Sequence, residues 1–502
     1  MSQLLSRPKT FEVCETTVAD IHRAMAAGRT TARQLVEQYL ARIEAFDRHG
    51  PQINSIITIN PEALADADRL DAAFAASGPV GPLHGIPVIL KDQMDAEGMP
   101  TTLGSVLFKD YYPDRDAFVT TRLRDAGAIL LGKATLGELG GGDTHGTLFG
   151  STRTPYDLER TAGGSSGGPG AAVSANLAAI GVGQEGFASI RRPSAWNCIV
   201  GMRPTAGVVS RAGTWGGGPG RAGSLGPMCR TVTDLATLLD VMAGYDPEDP
   251  VTAYAVGKFA EPFTRSLDAF GLQGARIGVI REVMANNSEP DSEDFAQVTA
   301  VFDRAVAKLR TAGAVIVDPV AIPGMTSLLA KRAGEGGSAT FDAWMTRSAN
   351  PPFKSQDEMF AAPVYQQVME RRRSTAILPP APDAHYQYLL AREELMTNLL
   401  KLMADLRLDA IVHKTVEHTP TLIRDGVNPP YVNMKGAPHL NTFLMDVPSI
   451  TVPAGFTESG LPAGITFLGR PFSDAQMVTY AFAFEQATMH RVPPASAPAE
   501  FD

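Results

Sequence analysis

The chain has 502 residues, 44% of them hydrophobic and 20% charged, with a formal net charge of −10. That composition excludes a disordered chain and suits one large domain or two to three average ones. The acidic balance, with no basic patch to offset it, argues against nucleic-acid binding and against a phosphate-seeking surface.

Cys14, Cys198 and Cys229 are odd in number and lack metal-ligand spacing. A disulfide framework and a metal site are therefore not expected, and no cofactor is required. Cys198 reads as a small buried residue rather than a nucleophile. Residues 1–15 carry no apolar run behind a basic start, and no stretch reaches the roughly 20 apolar residues of a membrane span. A soluble, cytoplasmic protein is the expectation.

Thr31 to Gln34 forms a capping-box pattern. Ala32, Leu35, Val36, Tyr39, Leu40 and Ile43 then recur at helical spacing, so a helix buries one face. Val88-Ile89-Leu90 follows Gly85 and Pro87, and reads as a buried strand ending at Lys91. A helix over about 117–125 leads to a second apolar run, Ala128-Ile129-Leu130-Leu131. A small-residue helix over about 169–176 precedes a third, Ala178-Ala179-Ile180.

This alternation predicts an α/β fold with a mixed central sheet covered by helices. The stretch 282–407 differs. It holds helical patterns over 295–312 and 386–406, with a Pro-, Met- and Ser-rich segment over about 323–382 between them. It reads as a helical insert capping the site, or equally as a packing insert. Met325, Met345, Met359 and Met369 suit an adaptable entrance, with ordinary core methionine slightly favoured. Sheet-like runs return at Ser449-Ile450-Thr451-Val452 and Gly464-Ile465-Thr466-Phe467-Leu468. The whole of 1–502 reads as a single domain, with a core over about 15–280 and 408–490.

Three features carry chemistry. Ala162-Gly163-Gly164-Ser165-Ser166-Gly167-Gly168 places four glycines around two serines ahead of a small-residue helix. Glycine permits close backbone approach, and a helix N-terminus offers free N–H groups. A phosphate loop is the bland alternative, but the Lys-Ser/Thr ending of a P-loop is missing. Ser189 lies 24 positions beyond Ser165 in Glu185-Gly186-Phe187-Ala188-Ser189-Ile190-Arg191-Arg192. Lys91 ends a buried strand, where a charge is expensive. A salt bridge to Asp92 or Glu185 is the structural explanation for it.

Together these segments resemble the amidase signature family. The likeness extends through 95–105, Gly201-Met202-Arg203-Pro204-Thr205, 226–231, Val452-Pro453-Ala454-Gly455-Phe456 and Gly469-Arg470-Pro471-Phe472. It thus covers about residues 15–490. It implies that Ser189 is the nucleophile, that Ser165 bridges after a cis peptide bond from Gly164, and that Lys91 is the base. Backbone N–H groups of Gly186, Phe187, Ala188 and Ser189 would form the oxyanion hole, and Gly164, Ser166 and Arg192 are candidates for touching substrate.

The expected activity is hydrolysis of a carbonyl–nitrogen bond in a small-molecule amide, aryl amide or carbamate (urethane). The alternative is one subunit of a glutamine-dependent amidotransferase that works on charged transfer RNA, and a non-catalytic scaffold is a third reading. Monomer and homodimer are both left open. The chemistry is coherent by itself: a serine hydroxyl needs a base, and burial makes a lysine neutral enough to be one.

Two positions depart from the family pattern. Phe187-Ala188 replaces the usual glycines, so Phe187 would crowd or stack on the substrate, and Ala206 stands where tyrosine is usual. Arg191 and Arg192 read first as partners of Glu185 or another acid, and second as a carboxylate fork. His413, His418 and His439 read as surface or core residues, with pocket lining the alternative.

Overall fold

The structure, a computed structural model, describes residues 11–216, 223–285, 287–332, 338–365, 368 and 382–500. Its centre is an eleven-stranded sheet. In chain order the strands are β1 (Ile56–Ile59), β2 (Pro87–Lys91), β3 (Ile129–Ala134), β4 (Ile180–Glu185), β5 (Val200–Arg203) and β6 (Ser224–Cys229). They continue with β7 (Arg276–Ile280), β8 (Val315–Val320), β9 (Ala410–Lys414), β10 (Ser449–Phe456) and β11 (Pro462–Leu468). Their spatial order is β1-β3-β2-β4-β6-β5-β10-β11-β9-β7-β8. Strand β2 runs parallel to both β3 and β4. The middle of the sheet, β4 to β6 to β5 to β10 to β11 to β9, is antiparallel throughout. It is therefore the expected mixed sheet.

The capping box forms as read. Thr31 and Gln34 cap each other at the start of the helix Ala32–Arg42, whose Ala32, Leu35, Val36 and Tyr39 are buried. All five residues of β2 are buried, which is why its apolar run is continuous rather than alternating. Helices cover both faces of the sheet and close a core made largely of Val, Ile, Leu and Ala. No described helix is long and apolar enough to cross a membrane.

Two expectations need correcting. The third run does not form a strand from Ala178. The strand begins at Ile180 and runs through Gly181 and Gly183 to Glu185. An added Cβ at Gly183 would lie 2.6 Å from Met228 Sδ and 3.0 Å from Ser166 Oγ. The strand needs glycine where the apolar pattern breaks, so the pattern hides it.

The stretch 282–407 is also not wholly helical. Its helix Glu293–Thr311 packs on β10 and β11, and the edge strand β8 follows. Pro319 lies inside β8, where an edge position tolerates a residue without an N–H. Further on, Met325, Met345 and Met359 are buried, whereas Met369 falls outside the described residues. A cap made of this stretch remains an expectation.

Candidate active site

Strand β2 delivers Lys91, and the parallel strand β4 beside it leads into Ser189. The glycine-serine stretch crosses between them and starts the helix Gly167–Ser174. Side chains alternate along a strand, so Lys91 and its neighbour Asp92 leave opposite faces. Asp92 pairs with buried Lys133 at 2.9 Å and accepts from the Thr102 N–H at 3.1 Å. That leaves Lys91 without Asp92.

Lys91 is fully buried. Its Nζ is 2.8 Å from Ser165 Oγ and 3.3 Å from the Gln184 carbonyl, and no carboxylate among the described residues is within ion-pair distance. Burial pushes its pKa well below the ordinary lysine value, and the negative charge of Glu185 only partly opposes this. Ser165 Oγ lies 3.0 Å from Ser189 Oγ and 2.8 Å from the Gly140 carbonyl. The peptide bond Gly164–Ser165 is cis. Thus three side chains separated by as many as 98 positions meet in one hydrogen-bonded line.

The loop that presents Ser189 is braced by Glu185. One carboxylate oxygen accepts from the N–H groups of Ile190 and Arg191 at 2.9 and 3.0 Å. The other binds the Arg191 guanidinium at 2.6 Å, and Arg203 approaches to 3.6 Å. Despite its burial, Glu185 therefore has a lowered pKa. Between Glu185 and Ile190 the N–H groups of Gly186, Phe187, Ala188 and Ser189 donate to nothing among the described residues.

Removing the carboxylate leaves the buried Arg191 guanidinium without an ion-pair partner among the described residues and takes one negative charge from beside Arg203. Glu185→Gln is expected to destabilise the fold by about 3–5 kcal/mol, as seen when one partner of a buried pair is removed. Thermal or urea unfolding checks this.

The remaining candidates are engaged inside the protein. Ser166 Oγ donates to the Gln184 carbonyl at 3.2 Å. Arg192 donates to the Gly164 carbonyl at 2.9 Å and pairs with Asp143 at 2.6 Å. Gly164 itself has no room for a side chain, since a Cβ would meet the Gly142 carbonyl at 2.3 Å. Ala206 is buried, with its N–H on the Met445 carbonyl. Cys198 and Cys229 are buried thiols with raised pKa values, as burial dictates. His413 lies in the core, its pKa lowered to about 3 by burial.

Other residues at the site carry little signal in the sequence. Gly140 sits in Gly140-Gly141-Gly142, a glycine run that marks close packing. Half-buried Trp215 borders it and donates to the Leu139 carbonyl at 2.9 Å. Trp344 and Phe341 pack against Trp215 at ring distances of 5.4 and 5.8 Å. In the loop before Ser189, Phe187 contacts His439 at 5.9 Å and lies 4.3 Å beneath the Arg332 guanidinium.

The sequence matches the family described as Amidase over residues 34–478. It is 33% identical to a probable amidase of Arabidopsis thaliana, over 97% of this chain and 92% of the relative. It is 34% identical to a glutamyl-tRNA(Gln) amidotransferase subunit of Halorhodospira halophila, covering 94% and 97%. The peptide amidase of Stenotrophomonas maltophilia superposes with a TM-score of 0.82 at 32% identity, covering 97% and 99%. This chain belongs to the amidase signature family and is a hydrolase of that family.

Proposed function

We propose that this chain cleaves a carbonyl–nitrogen bond of a small amide or carbamate through an acyl-enzyme on Ser189. The observation that carries the proposal is the contact line Lys91–Ser165–Ser189, with a lysine whose surroundings favour the uncharged amine. Neutral Nζ keeps a lone pair. It accepts the Ser165 proton while Ser165 Oγ accepts the proton of Ser189. Ser189 Oγ then bonds to the carbonyl carbon. The N–H groups of residues 186–189 receive the developing oxyanion, each worth a few kcal/mol when well aimed. The relay runs backward to protonate the leaving nitrogen. Water repeats the forward step on the ester, releasing the acid and restoring Ser189.

Gly164, Ser166 and Arg192 hold this loop rather than the substrate in this reading. Their polar groups already bind Gln184, Asp143 and each other's backbone. The Trp215 side supports an apolar or aromatic substituent. The amidotransferase reading draws support from the 34% identity to such a protein.

A hydrolysis panel of anilides, aliphatic amides, carbamates, esters and glutamine separates these readings. Turnover of anilides or carbamates by the isolated chain is the expected result. Ammonia release from glutamine alone would favour the amidotransferase. Ser165→Ala breaks the relay in the middle and is expected to lower kcat by about two to four orders of magnitude, as loss of positioned proton transfer does. Steady-state kinetics on the best panel substrate reads it.

A further inference from the structure

Arg332 differs from the buried arginines. Arg191, Arg192 and Arg211 each face a carboxylate at 2.6–2.8 Å. Arg42 and Arg230 are held by several backbone carbonyls. The Arg332 guanidinium has neither a carboxylate nor a carbonyl acceptor among the described residues. It lies 4.3 Å over the face of Phe187, whose ring is 5.9 Å from the His439 ring, and its charge is felt at His439.

A stacked ring offsets the loss of water around a cation only in part. Burial accordingly lowers the Arg332 pKa, and His439 is held at about 4 by burial and then by the Arg332 charge, so it is neutral at physiological pH. A planar cation kept partly dry, with its donors unspent among the described residues, matches a planar anion. Phe187, on which it stacks, is two positions from Ser189 in the loop of free N–H groups.

We propose that Arg332, stacked on Phe187 beside His439, is a carboxylate-binding subsite that makes substrates bearing a free carboxylate the preferred ones. The proposal rests on the reading of Ser189 as the nucleophile. A carboxylate on the acyl chain or on the departing amine presents the same chemistry to the guanidinium. The acidic chain as a whole repels such substrates, so a local cation near the nucleophile decides whether they dock.

The test compares neutral and acidic anilides: butyranilide with succinic acid monoanilide, and acetanilide with 4-acetamidobenzoate. In the wild type at least one acid is expected to exceed its neutral counterpart in kcat/KM. In Arg332→Gln that preference is expected to fall about tenfold or more, mainly through KM. Arg332→Lys is expected to restore part of it. Calorimetry adds a readout free of turnover: Ser189→Ala binds the preferred acid more tightly than its neutral counterpart, and adding Arg332→Gln removes the difference.

An unchanged ratio in Arg332→Gln, or equal loss for acid and neutral substrates, overturns the subsite. If the wild type hydrolyses none of the anilides, aliphatic amides, carbamates, esters or glutamine while Ser189→Ala binds the acid through Arg332, the subsite stands and the nucleophile reading fails. If anilides are hydrolysed with no acid preference and no acid binding, the subsite fails alone.

Discussion

Ser189→Ala is expected to lower kcat by about six orders of magnitude, as loss of a serine nucleophile does in other hydrolases. The fold should be untouched. Ser189 Oγ is seen to contact Ser165 Oγ alone among the described side chains, at 3.0 Å. Its backbone carbonyl still accepts from the Ser166 N–H at 3.1 Å in the variant. Unfolding midpoints within experimental error of the wild type, with turnover near background, are the expected pair of results. Substantial residual turnover would move the covalent step to another residue.

Lys91→Ala is expected to cost about two to four orders of magnitude in kcat/KM, the usual range for a positioned general base. The pH profile carries the sharper information. The proposed relay uses Lys91 as the uncharged amine. As pH falls through its pKa the amine protonates, its lone pair is lost, and the rate falls. Burial holds that pKa well below the ordinary lysine value, against the weaker pull of Glu185. The acid limb is therefore expected well below the pH at which an exposed lysine titrates. Lys91→Ala should remove the limb along with the rate. In any Glu185→Gln protein that folds, the limb should shift to lower pH, because the charge that favoured the ammonium form is gone.

Much of the site was legible in the sequence because its pieces have local causes. Strand β2 announces itself by a continuous apolar run, and Lys91 stands out at its end. The glycines around Ser165 mark a place where backbones touch, and the clash that any Cβ would make at Gly164 gives the reason. What stayed hidden depends on contacts distant in sequence. Nothing near Asp143 says that it pairs with Arg192, 49 positions away. Asp92 looks like a partner for adjacent Lys91, yet strand alternation sends it to Lys133.

The fold divides in the same way. The helix from Ala32 is set by its own capping residues and spacing. Strand β4 is masked by glycines that packing requires. Strand β8 is masked because an edge strand needs neither a strict alternation nor freedom from proline. Arg332 and Phe187 meet across 145 positions, and no local pattern foretells the stack.

Labelling with a fluorophosphonate, followed by peptide mapping, tests the nucleophile most directly. One adduct per folded chain, on the peptide bearing Ser189 and absent from Ser189→Ala, is the predicted result. A folded, active protein that takes up no label, or takes it up on a different serine with concurrent loss of activity, would contradict the account.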